Sequence, residues 1–123
     1  METDFLTQKV IGCAIEVHKN LGPGLLESSY ESCLMYEFQQ AGLTAQRQIV
    51  QPINYKGIQI DAGYRLDILL PDQLIIELKS VDRLAPIHTA QLITYLKLSK
   101  IKTGLLINFN VEKLTNGLRR ISI

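Results

Sequence analysis

The chain has 123 residues, 46% of them hydrophobic and 20% charged, with 13 basic and 12 acidic side chains and a formal net charge of +1. That is ordinary globular composition, and residues 1–123 are expected to form one domain, long enough for a real core and too short for two. So neutral a balance excludes a general polyanion binder, so any nucleic-acid surface must be local. Lys97, Lys100, Lys102, Arg119 and Arg120 crowd toward the C-terminal part, but an evenly solvated surface accounts for such charges too. No apolar run approaches the roughly 18 residues needed to span a bilayer, so no membrane insertion is expected.

Over residues 4–20, Val10, Ile11, Ala14, Ile15, His18 and Leu21 recur at i, i+3/i+4 spacing, which predicts an amphipathic helix packed on a sheet, capped by Thr3 or Asp4. His18 near its end is either a satisfied, half-buried histidine or a group near a substrate. Residues 20–24 hold Gly22, Pro23 and Gly24 and break that helix. A second helix is predicted from Leu25 or Leu26 to Gln40, with Leu26, Tyr30, Cys33, Leu34, Phe38 and Ala41 inward and Gly42 as its C′ residue. Glu27 falls in its first turn, where the helix dipole alone favours a carboxylate. Cys13 and Cys33 lack C-x-x-C spacing and follow no signal-peptide pattern, so they read as reduced small hydrophobes of a cytosolic protein.

Pro52 demotes residues 46–55 from any central strand, and 54–57 reads as a turn into a strand starting near Ile58. Residues 60–70 are long for one strand, with Gly63 marking a bulge or bend. Two apolar runs then flank Pro71, Asp72 and Gln73, which predicts an antiparallel hairpin. In that register Leu70 faces Leu74 and Asp67 faces Glu77, with side chains roughly 5 Å apart. Lys79 points the same way by strand alternation; Leu66, Ile68, Leu70, Leu74, Ile76 and Leu78 form the opposite face. Beyond a connection at 80–85, Pro86 opens a helix to about Ser99, on which His88, Gln91 and Tyr95 share a stripe. Residues 102–109 read as a doubly buried strand reached by a right-handed β-α-β crossover, and 118–123 as a short edge strand. The expected architecture is an α/β sandwich with a mixed sheet of four to six strands.

Like charges facing each other in a sheet are costly, and a buried carboxylate needs a counter-charge. Lys79 is a partial answer and a divalent cation a better one, since two acidic oxygens plus water and phosphate is a usual way to hold Mg²⁺. A nearby ammonium can then orient a water or steady a pentavalent phosphate.

Asp67 followed by Glu77-Leu78-Lys79 on the next strand resembles the D…(D/E)-x-K core of the PD-(D/E)XK nuclease superfamily. Gly24, Glu27 and Tyr30 fit the G-x-x-E-x-x-Y signature of the small GxxExxY proteins, and Gln91 with Tyr95 resembles the Q-x-x-x-Y helix motif found after the core lysine. The resemblance covers about residues 10–120; Leu66 stands where the superfamily nominally has proline. It implies a restriction-endonuclease-like fold and a Mg²⁺- or Mn²⁺-dependent phosphodiesterase acting on DNA or RNA. In that scheme Asp67, Glu77 and the Leu78 carbonyl bind metal, and Glu27 adds a third acid through water or a second ion. Lys79 activates the attacking water, and Gln91 positions a phosphate or the lysine. A domain this small could use a second copy, as a homodimer, to span both strands of a duplex, although no isolated apolar stripe marks such an interface. Two other readings stand beside this one: a catalytically silent module that binds nucleic acid or a protein, and a hairpin salt bridge between Lys79 and the acids.

Overall fold

The apolar residues at 74–76 and 104–107 run without alternation and cannot be satisfied by one buried face, and in the computed structural model, which describes residues 3–123, they lie side by side at the centre of a sheet. These strands, β5 (Leu74–Lys79) and β6 (Thr103–Asn108), are parallel, with Ile75 opposite Gly104 and Lys79 opposite Asn108. The connection is helix α3 (Pro86–Ser99), with the bounds the sequence predicts. Around this unit the five-stranded sheet has the order β1-β4-β5-β6-β7, where β1 is Gln46–Val50, β4 is Arg65–Leu70 and β7 is Leu118–Ser122. Only β5 and β6 pair in parallel, so the sheet is mixed, as expected.

Helices α1 (Thr3–Leu21) and α2 (Glu27–Gln40) cover one face. Leu6, Val10 and Ala14 of α1 and Tyr30, Leu34 and Phe38 of α2 pack there against Ile68, Ile76, Leu105 and Ile107 of the sheet. On the other face α3 sets Leu92, Tyr95 and Leu96 against Leu66, Ile75, Ile101 and Leu106. The approach is close, since a Cβ on Gly104 would meet the Leu92 side chain at 3.0 Å. Thr3 and Asp4 both lie inside α1, so its cap lies outside the described residues. Gly42 has φ 73° and ends α2 in a Schellman motif, its amide bonded to Gln39 O at 3.2 Å and that of Leu43 to Phe38 O at 2.9 Å.

Three local expectations are corrected. Leu26 is 74% exposed instead of packed inward, because α2 starts only at Glu27. The chain before it loops over the Tyr30 hydroxyl, which donates to Gly22 O (2.6 Å) and accepts from Leu25 N–H (3.1 Å). Residues 58–60 do not lead into the core hairpin. They form β3 (Ile58–Ile60), paired with β2 (Ile53–Tyr55) in a separate ribbon whose turn places Lys56 and Gly57 at positive φ.

The third correction concerns Leu66, which faces α3 while Ile68 and Leu70 face α1 and α2. Strict alternation would put all three on one side. Strand β1 turns over at the same level. Arg47 pairs with Ile68 and Ile49 with Leu66, and between them Gln48 has φ 53°. Both strands thus invert their faces across the step that contains Gln48 and Asp67. Among the described residues no helix is long and apolar enough to cross a membrane.

The end of β6 is fastened to the end of β5. Phe109 N–H donates to Lys79 O at 3.0 Å, and the buried Asn108 amide accepts from Val81 N–H (3.1 Å) and donates to Val81 O (2.9 Å). A Cβ on Gly117 would lie 2.1 Å from Asn108 O, so no side chain fits there without displacing this backbone. Gly117→Ala should therefore lower unfolding stability by about 3 kcal/mol, the upper range for overpacking, read from urea midpoints. A midpoint unchanged from wild type would refute this close approach.

Candidate active site

The hairpin of β4 and β5 forms as the register predicts, with Leu70 opposite Leu74, Leu69 opposite Ile75 and Ile68 opposite Ile76. The next rung brings Asp67 to Glu77, and there side chains take over from the backbone ladder. Asp67 N–H donates to Glu77 Oε2 at 2.9 Å, and Leu78 N–H donates to Asp67 Oδ2 at 2.8 Å. The two carboxylates are thus wedged between the strands, each aligned by an amide of the opposite strand.

Glu77 is 6% exposed, and its pKa is pushed up to about 9. Burial is the main cause; the charge of Asp67 and a side-chain hydrogen bond to it act the same way, while the Asp67 amide and Lys79 pull against them. Near neutral pH the pair therefore holds a proton. A divalent cation would suit its place, because among the described residues no backbone amide bonds Asp67 Oδ1 or Glu77 Oε1 and a doubly charged ion would remove the repulsion. No group of three or more His, Cys, Asp or Glu side chains sits at metal-binding spacing among the described residues. Such an ion would complete its shell with water and phosphate, the habit of Mg²⁺.

Lys79 makes no ion pair among the described residues, where the ion pairs are Arg47–Glu31, Arg65–Asp61 and Arg120–Asp4. A hairpin salt bridge is therefore absent, and the ammonium remains available. Glu27 is exposed at the start of α2, and its Oε2 accepts from Ser80 N–H at 3.0 Å, while Ser80 Oγ donates to Leu25 O at 2.6 Å. It thus lies at the end of β5 beside Lys79, outside any three-acid cluster. Gln91 lines a cavity of about 290 Å³ with His88, Tyr95 and Tyr64, and among the described residues its side chain makes no hydrogen bond, to Lys79 or otherwise. Tyr95 adjoins the acids: its phenol pKa is raised first by burial, then by Glu77, Tyr64 and Asp67. His18 lies away from them; its Nε2 donates to Val111 O at 2.7 Å, as a satisfied histidine would.

Three contributors to this geometry had escaped the sequence reading. Glu31, 5% exposed, accepts from Arg47 Nε (3.0 Å) and Gln48 Nε2 (2.7 Å), which pins the strand inversion beside Asp67. Tyr64 packs edge-on to Tyr95 with ring centroids 6.2 Å apart. Asn108 ties down the segment after Lys79; a lone amide ending an otherwise apolar strand was a readable signal, since a buried polar group needs a partner.

The extra proton on folded Glu77 stabilises the fold fully below the ordinary carboxylate value near 4.5, and this contribution is lost as pH rises through about 9. Wild-type melting temperature in metal-free buffer should fall across that window, and Glu77→Gln, neutral at every pH, should flatten the fall and be the more stable protein at its alkaline end. Parallel profiles for the two proteins would show that Glu77 does not retain its proton.

Comparison with curated proteins and with solved structures returns no match. A family model of the PD-(D/E)XK nuclease superfamily matches residues 4–121. The match runs through the hairpin that carries both acids, the lysine beside them and the helix laid over them, and by that span the chain belongs to the PD-(D/E)XK nuclease superfamily.

Proposed function

We propose that this chain is a divalent-metal-dependent nuclease that hydrolyses phosphodiester bonds in DNA or RNA. The observation that carries the proposal is the wedged acid pair, two carboxylates held together in a buried sheet position, each bonded by an amide of the opposite strand. Asp67 and Glu77, with the carbonyl of Leu78, would hold Mg²⁺ or Mn²⁺. When bound, that ion would neutralise charge on the phosphate and acidify the attacking water.

The chain's own groups do the rest. Lys79, with no ion pair among the described residues, has three N–H donors to orient the water and to meet charge developing on the phosphoryl oxygens. Glu27 fixes the peptide after Lys79 through Ser80 and would meet the ion through water. Gln91 helps to seat the substrate. The GxxExxY assignment is supported by the use of all three motif residues: Gly24 at φ 97°, Glu27 on Ser80, and Tyr30 clasping the loop before α2. Unpaired Cys13 and Cys33 agree with a reducing, cytosolic setting.

Lys79→Ala should reduce Mg²⁺-dependent cleavage of a labelled oligonucleotide by about 10²-fold or more, with an unchanged or higher melting temperature. Mg²⁺ or Mn²⁺ should raise the melting temperature of the wild type and not of Asp67→Asn, because a ligand that binds only the folded state stabilises it. The proposal is lost if neither ion shifts the wild type and no oligonucleotide is cut; a module that only binds would still retain nucleic acid or a partner, equally well with Asp67→Asn.

A further inference from the structure

Between the β2–β3 ribbon and α3 lies a cavity of about 290 Å³, lined among others by Ile53, Tyr64, His88, Gln91, Tyr95 and Leu98. Its chemistry differs from that of the acid pair beside it. No residue lining it is acidic, lysine or arginine, so it suits neither a cation nor a phosphate. It offers instead a half-exposed phenol ring, aliphatic walls from Ile53 and Leu98, and an uncommitted primary amide.

Each polar group has its place in the argument. Among the described residues the Gln91 side chain has no hydrogen-bond partner, leaving both its oxygen and its N–H groups for a guest. His88 accepts the Ala85 amide on Nδ1 at 3.0 Å, which makes Nε2 the protonated nitrogen of the neutral ring, a donor with no partner among the described residues. Tyr64 is 43% exposed although it packs edge-on to Tyr95, so part of its ring is open to stacking. An amide that donates and accepts side by side matches the edge of a nucleobase, and an aromatic face stacks on any base. Tyr95 links the cavity to the chemistry, since it lines the one and feels the charge of Asp67 and Glu77 in the other.

We infer that this cavity is a nucleobase subsite: it receives one unpaired base of the substrate strand, stacked on Tyr64 and hydrogen-bonded by Gln91, next to the phosphate that meets the cation Asp67 and Glu77 would hold. The inference rests on the nuclease reading and adds a preference for single-stranded or locally opened nucleic acid. A base within a duplex presents neither face and cannot enter a concave site. Because the recognition is by stacking and one amide, the subsite tolerates more than one base.

The chain contains no tryptophan, so Tyr64→Trp introduces a single indole reporter. In the Lys79→Ala background with Mg²⁺ present, short single-stranded DNA and RNA oligonucleotides should quench that indole saturably, whereas an abasic DNA oligomer of equal length should not. Anisotropy of end-labelled oligomers reports binding independently. There the abasic strand should bind the Lys79→Ala protein about tenfold more weakly than the intact one, and adding Tyr64→Ala should weaken intact-strand binding by a similar factor and erase the difference between the two. Intact and abasic strands bound equally tightly, with the indole unquenched, would overturn the subsite while leaving the nuclease reading standing. No binding of any oligomer by either readout would overturn both.

Discussion

One rung of one hairpin governs this molecule. At Asp67 and Glu77 the backbone ladder yields to carboxylates that accept amide hydrogens from the opposite strand. A sheet can absorb this only if its strands separate locally and the displaced groups find other partners. The face inversion of β1 and β4 across Gln48 and Asp67 is the visible result, and Glu31 secures it from α2 through Arg47 and Gln48. The local geometry is unfavourable in itself, with a left-handed non-glycine residue on one strand and a crowded acid pair on the other. Such strain beside a polar site persists because the surrounding core over-determines the backbone.

That core supplies the rigidity from both sides. Beneath the sheet, Tyr30 stacks on Phe109 with centroids 4.3 Å apart while its hydroxyl holds the loop before α2, so the segment that delivers Glu27 to Ser80 hangs from a buried ring. Above it, α3 lies close enough that a Cβ at position 104 would meet the Leu92 side chain at 3.0 Å. Asn108 and the Phe109 amide fasten the peptide just past Lys79. Every residue around the acids is thus set by an element that also serves the core, which makes their placement a consequence of folding rather than of ligand binding. Preorganisation of this kind is what electrostatic catalysis requires.

Much of this was legible in the chain itself. Period-2 and period-3.6 patterns gave the hairpin, its register across Pro71, Asp72 and Gln73, the crossover helix from Pro86 to Ser99, and the parallel strand after it. They did so because the apolar stripe that directs each element is repeated in every turn or alternate residue, so local sequence over-specifies it. Leu66 escaped that logic. Strict alternation assigns it to one face, and only the pinned inversion of the neighbouring strand sends it to the other.

The sequence alone therefore determined the element order, the meeting of Asp67 with Glu77, and the superfamily pattern, since each depends on spacing along a regular strand or helix. The tertiary structure decided the rest: that Lys79 makes no ion pair among the described residues, that Glu27 is engaged by Ser80, that the Gln91 amide opens on a cavity, and that Tyr64 stands beside it. Those are relations between side chains far apart in the chain. Periodicity fixes which face a residue takes, but the packing of one element on another fixes what it meets there.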